Sequence, residues 1–426
     1  MRIKKIISVV ALAVFLFTPT VQAACKNALY GHNQEKVVLY QRASDMKENI
    51  VRYLFVDGRR GILGKPGAEV SCNEDRLLNR SGKAFESIEL KEQDISFRSS
   101  GLDLVGKLVD AAGGAGSDKP LVVFVHGSES TPTVGYSPYP YILAAQGISV
   151  FVYDKRGTGQ SGGHYSQDLI ALAGDAAAAA EAAKRMASGR YNRFGYYGGS
   201  QGGWVAPLAA KTTNADFIVI GFGLLLSPVE EDAEQVYDEL RRMGYGEDVI
   251  DLARDVTAAT GEIIASHFTK GFEDLTRVRK KYANTNWLGK IEGEFTGMVL
   301  AASEHDLRKG IAGDFEDSGV PWRHNAVDVI RSLSVPQLWV IAGDDIVAPG
   351  SVTRDRLELL RKEGLPLTTA LFPKTDHGML DFTLREDGSR IWTRFTEGYF
   401  RLIADFMKSR LEPPYGRGQI TEPRPE

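Results

Sequence analysis

The sequence predicts an α/β fold built on a mainly parallel sheet with helices on both faces, and three observations lead there. Apolar runs of buried-strand type recur at 121–125, 148–153, 194–197, 217–222, 337–342 and 367–372, with helical stretches between them at 141–146, 168–187, 203–211 and 354–362. Strands that alternate with helices connect through right-handed crossovers, which sets neighbouring strands parallel. A tight Gly198-Gly199-Ser200-Gln201-Gly202 segment joins the third run to the helix that follows it. One block, 229–320, breaks the alternation. It is charged, rich in helix formers and free of strand-like runs, and reads as a helical cap inserted over the carboxyl edge of the sheet.

The chain start differs from the rest. Arg2, Lys4 and Lys5 are followed by an apolar run at 6–17 and small residues up to Ala24, the pattern of a secretory signal peptide over 1–24. It is too short and wrongly flanked for a stable membrane anchor. Gln22 stands three residues before Cys25, where a lipid-anchored cysteine would be preceded by an aliphatic residue. A periplasmic or secreted location is therefore expected. Loss of the segment would take the net charge from −4 to −7. A mildly acidic chain without basic runs argues against nucleic acid as a partner. The only two cysteines, Cys25 and Cys72, suggest one disulfide in an oxidising compartment, with two independent thiols as the alternative.

After the leader, 25–93 reads as short strands and turns, including a hairpin at 53–63 through Asp57-Gly58, and is expected to be an accessory β-rich segment. Alternating residues at 94–98 and 102–109 predict a strand pair that opens the main core, 94–228 and 321–411. The alanine run 176–180 reads as a helix packed on a sheet. The Pro- and Gly-rich 412–426 lacks a core-forming pattern and predicts a disordered tail.

A G-x-S-x-G segment between strand and helix forces Ser200 into a sharp turn with its hydroxyl exposed, while Gly198 and Gly202 let the backbone bend. A serine hydroxyl is a weak nucleophile until a base takes its proton, and an acid must orient that base. Asp344 and Asp345 lie just past the 337–342 strand, and His377 just past the 367–372 strand. Both positions are carboxyl ends of strands, where α/β sheets carry their sites, and the order Ser, Asp, His is maintained. Upstream, His126-Gly127-Ser128 follows another strand. A loop there aims the backbone N–H of Ser128 beside that of Gln201, a pair of donors for an oxyanion.

These motifs, with 153–161, Asp345 to Pro349 and Asp376-His377-Gly378, resemble the α/β-hydrolase superfamily, specifically secreted bacterial esterase-like members with a cap. The resemblance covers roughly 94–411. It implies the α/β-hydrolase fold, Ser200 as nucleophile, His377 as general base and then acid, and Asp345 as the orienting carboxylate. Spacing back from Pro349 favours Asp345 over Asp344. His126 and Gly127 would hold the oxyanion loop, and Asp154 belongs to a loop packed near the site. Gly157-Thr158-Gly159-Gln160-Ser161-Gly162 matches a dinucleotide fingerprint, but leads into Gly163-His164-Tyr165 instead of a helix. His164, His267, His305 and His324 have no metal-ligand spacing. No cofactor and no metal are implied. Asp376 reads as a loop residue and Trp204 as packing.

The expected activity is hydrolysis of a small acyl ester through an acyl-enzyme. An exported peptidase acting on short peptides, or a thioesterase, is the alternative. A peptidase would place an acidic pair in the cap to hold a substrate amino terminus, and Glu230, Glu231 and Asp232 offer one. A non-catalytic binding protein on the same scaffold is the rival from another class.

Overall fold

The buried runs assemble into one twisted sheet. In a computed structural model, which describes residues 25–113, 119–311 and 319–423, nine strands lie in the order Gln419–Thr421, Leu367–Phe372, Gln337–Ala342, Phe217–Gly221, Arg193–Gly199, Pro120–Val125, Ser149–Tyr153, Leu102–Val109, Glu92–Ser99. The middle six pair in parallel, while the pair 92–99/102–109 and the strand 419–421 are antiparallel edges. Every residue of Pro120–Val125 is buried, because helices cover both faces. Leu121, Val123 and Val125 meet Leu169–Met186 and Gly202–Ala210 on one side. Val122 and Phe124 meet Tyr139–Ala144 and Tyr399–Met407 on the other. The alanine run lies inside Leu169–Met186, where small side chains let the helix approach the sheet closely.

The N-terminal residues form a separate seven-stranded antiparallel sheet, closed by a Cys25–Cys72 disulfide. The 53–63 hairpin is present, pairing Arg52–Phe55 with Arg60–Ile62. The sheet's strands Glu35–Tyr40 and Arg52–Phe55 are buried on both faces. Val37, Leu39, Tyr53 and Phe55 pack into its own core, and Val38, Tyr40 and Leu54 pack onto the main domain, as period-two alternation dictates.

The helical block that the sequence expects as a cap begins with helix Pro228–Arg242. Ser227 caps the helix and Glu230 returns a bond to the Ser227 N–H (2.7 Å), a complete capping box with proline in the first turn. Helices Glu247–Ala265, Phe272–Tyr282 and Thr296–Ala301 follow, around a core that includes Val236, Leu240, Ile263 and Trp287.

Two elements depart from expectation. The tail is ordered from 412 to 423. Tyr415 is fully buried with its hydroxyl on Asp405 (3.1 Å), Arg417 donates to the Thr375 hydroxyl (2.9 Å), and Gln419–Thr421 adds an edge strand. One buried aromatic ring and one strand register anchor a segment whose composition alone shows no core. The second is a three-stranded antiparallel piece, Thr375–Asp376, Leu380–Leu384 and Arg390–Phe395, that no apolar run signalled. The proposed leader, 1–24, lies outside the described residues. Among those residues no helix is long and apolar enough to cross a membrane.

Candidate active site

Ser200 sits where strand Arg193–Gly199 turns into helix Gly202–Ala210. The turn holds it at φ 51°, a left-handed conformation unusual for a residue with a side chain, and its N–H donates to the Gly221 carbonyl (3.1 Å). Its neighbours have no room for a side chain. A Cβ on Gly198 would lie 2.1 Å from the Gly202 carbonyl oxygen, and one on Gly202 would lie 2.3 Å from that of Val125. Gly202→Ala is expected to destabilise the fold by about 3 kcal/mol, seen as a thermal midpoint several degrees lower. An unchanged midpoint would contradict this packing.

The acid and base candidates meet. His377 Nδ1 donates to Asp345 Oδ2 at 2.9 Å, and Asp345 Oδ1 accepts the N–H groups of Val347 (3.0 Å) and Ala348 (2.7 Å). Asp344 is exposed instead and accepts the Lys374 N–H (2.7 Å). Burial pulls the His377 pKa down, but the hydrogen bond to Asp345 and the charges of Asp345 and Asp376 outweigh it and hold the imidazole above its ordinary value. Asp376 is more than a loop residue. It is buried, accepts the His377 N–H (2.8 Å) and the Trp392 indole N–H (2.8 Å), and pairs with Arg390 (2.7 Å). The unforeseen hairpin thus clamps the turn that carries the imidazole.

The Ser200 hydroxyl makes no hydrogen bond among the described residues, a looseness common in unliganded hydrolases. Phe222 links the two regions: its ring meets His377 edge-on at 5.0 Å, and its tip lies 2.9 Å from where a Cβ on Gly199 would stand.

Ser128 and Gln201 line the same cavity as Ser200. Neither backbone N–H has an acceptor among the described residues. Their supports are polar and buried. His126 donates from Nε2 to the Tyr153 carbonyl (3.2 Å), and burial keeps its pKa low. Asp154 accepts the N–H groups of Thr133 (2.8 Å), Val134 (2.9 Å) and Gln160 (3.2 Å), tying the loop after Pro120–Val125 to the glycine-rich loop 157–162. That glycine-rich loop therefore has an internal structural partner.

The cavity measures about 190 Å³ and is walled by Leu169, Trp204, Phe222, Leu224, Val320 and Trp322. Trp204, expected as packing, faces it while its indole N–H donates to the Leu226 carbonyl (2.9 Å). Of the three cap acids singled out in the sequence, only Glu231 reaches the cavity. Glu230 is taken by Arg356 (2.5 Å), and Asp232 is buried, accepting the N–H groups of Phe295 (2.8 Å) and Thr296 (3.0 Å). The second carboxylate at the cavity is Glu294, which no motif signalled because most of the cap separates it from Glu231 along the chain. Glu294 reaches the cavity because the turn that follows it, Phe295-Thr296, is fastened to Asp232 on the first cap helix. Burial, reinforced by the charges of Glu294, Asp345 and Asp232, pushes the half-buried Glu231 carboxyl up to about 8.

A family model described as serine aminopeptidase, S33, matches residues 116–243, the stretch that holds the loop after Pro120–Val125, the glycine-rich loop, the turn at Ser200 and helix Pro228–Arg242. The sheet order and the strand–turn–helix at Ser200 agree with that match. The chain has the α/β-hydrolase fold. Solved structures similar to this chain include an esterase of Pyrococcus furiosus, at 16% identity over 68% of this chain and 84% of that one (TM-score 0.42). An acylaminoacyl peptidase of Pyrococcus horikoshii is similar at 14% identity over 86% of this chain and 49% of that one (TM-score 0.45), so this chain spans about half the peptidase's length. An acetyl xylan esterase from Paenibacillus sp. R4 is similar at 15% identity over 76% and 84% (TM-score 0.42). No curated protein sequence matches the chain significantly.

Proposed function

We propose that this hydrolase cleaves small carboxylic esters through an acyl-enzyme on Ser200. The observation that carries the reading is the hydrogen-bonded Asp345–His377 pair at the strand ends beside a strained serine elbow. His377 Nε2 takes the Ser200 proton as the oxygen attacks the ester carbonyl. Asp345 holds Nδ1–H and stabilises the imidazolium. The N–H groups of Ser128 and Gln201 receive the oxyanion, each worth on the order of 3 kcal/mol of barrier. The alcohol leaves with the proton from His377, and water then attacks the acyl-enzyme by the same route. A cavity of about 190 Å³ suits a short acyl group.

One observation favours a second reading, an aminopeptidase. Glu231 and Glu294 both line the cavity that holds Ser200, and such a pair would receive a substrate ammonium group. The two readings separate in one experiment. A fluorophosphonate is expected to label Ser200, and the labelled enzyme is compared with free enzyme on acyl-ester, thioester and aminoacyl-amide panels. Absence of an adduct would leave only a binding role. Glu231→Gln and Glu294→Gln are expected to change kcat/KM for a neutral short ester by less than about threefold. A loss of about tenfold or more confined to aminoacyl amides, as expected for removing a charge-assisted hydrogen bond, would establish the peptidase reading instead.

A further inference from the structure

We infer that Lys155 is a positioning residue for the oxyanion site, gripping the peptide whose N–H is to receive the developing charge. The inference rests on the serine-hydrolase reading above.

Lys155 follows strand Ser149–Tyr153 and is only 2% exposed. Its Nζ donates to the Gly127 carbonyl oxygen at 2.6 Å and reaches the Gln201 side-chain oxygen at 3.5 Å. No carboxylate pairs with it among the described residues. A buried ammonium without an anionic partner is costly, and such groups cluster where chemistry needs them. The geometry says what this one does. The Gly127 carbonyl and the Ser128 N–H belong to one planar trans peptide, so they point in opposite directions. An ammonium fixed on the carbonyl side turns the N–H the other way and polarises the amide, making it a stronger donor. The same ammonium holds the side chain of Gln201, whose backbone N–H is the second donor. Tyr165 completes the clamp: its ring lies 5.2 Å from Nζ and its hydroxyl donates to the Ser128 carbonyl. One cation thus spans both donors of the site, which a purely structural hydrogen bond to a single carbonyl would not do.

Burial lowers the Lys155 pKa to about 8, against the opposing charge of Glu129. The titratable groups facing it are Glu129, His126 and Tyr165. A lysine is cationic below its pKa, so the grip weakens as pH rises through about 8.

The test uses the full chain and 4-nitrophenyl acetate. Lys155→Met keeps an unbranched stem, one atom shorter, and removes the charge. Its kcat is expected to fall on the order of 10- to 100-fold, with KM changed less than about threefold. The wild-type kcat is expected to decline above pH 8 while its circular dichroism is unchanged, and that decline is expected to be absent from Lys155→Met and retained in Glu231→Gln, whose carboxyl titrates in the same range. A Lys155→Met enzyme with wild-type kcat, or with the same alkaline decline, would overturn the inference. A wild-type enzyme without the decline would do so even if the variant failed to fold. Ser200→Ala separates the two levels: a dead Ser200→Ala beside a fully active Lys155→Met removes only the role of Lys155, whereas an active Ser200→Ala removes the reading on which it rests.

Discussion

Ser200→Ala is expected to lower kcat for short acyl esters by about 10⁶-fold while the protein stays folded. The size follows from the mechanism. Without the hydroxyl there is no acyl-enzyme, and only the oxyanion donors and substrate binding remain to favour attack by water. The fold should tolerate the change, because alanine meets the same backbone demand at φ 51° that serine already meets, and the Ser200 hydroxyl makes no hydrogen bond among the described residues that alanine would forfeit. Steady-state kinetics with a thermal melt and a fluorophosphonate labelling assay measure this directly. Activity within about tenfold of wild type, with an unchanged melt, would sink the assignment of the nucleophile.

Asp345→Asn is expected to lower kcat by about 10⁴-fold. The local geometry makes the direction firm. Two backbone N–H groups, of Val347 and Ala348, point at the position of Oδ1, so an asparagine must put its oxygen there. Its NH₂ then faces His377 Nδ1 and forces the proton onto Nε2, the nitrogen that has to accept the serine proton. The variant also loses the charge that raises the His377 pKa. In wild type the base is neutral only above a pKa lying higher than the ordinary imidazole value, so activity is lost as pH falls through that raised pKa. In Asp345→Asn the acid limb of kcat/KM is expected to move to lower pH. An unmoved limb, or a loss of less than about tenfold, would point to Asp344 or to another orienting group.

The central parallel strands of the main sheet were legible because they are buried on both faces and so read as apolar runs, as at Pro120–Val125 and Gln337–Ala342. The elbow was legible because glycines crowd a turn that admits no Cβ. The hairpin Leu380–Leu384 and Arg390–Phe395 was not, since it lies mostly at the surface and its strands carry arginine and threonine among apolar residues. The ordered tail was hidden for a related reason: Tyr415, Arg417 and three paired residues hold it, too few to make a pattern.

The sequence by itself determined the alternation of strands and helices, the helical block between strands Phe217–Gly221 and Gln337–Ala342, and the tight turn at Ser200, because these follow from local periodicity and from residue types that tight turns demand. Only the tertiary structure decided which acids of the 229–320 block reach the cavity, and that Lys155 lies behind the Gly127–Ser128 peptide. Those are contacts between segments far apart in the chain, and a side chain's partner across such a distance is set by packing, which no local pattern records.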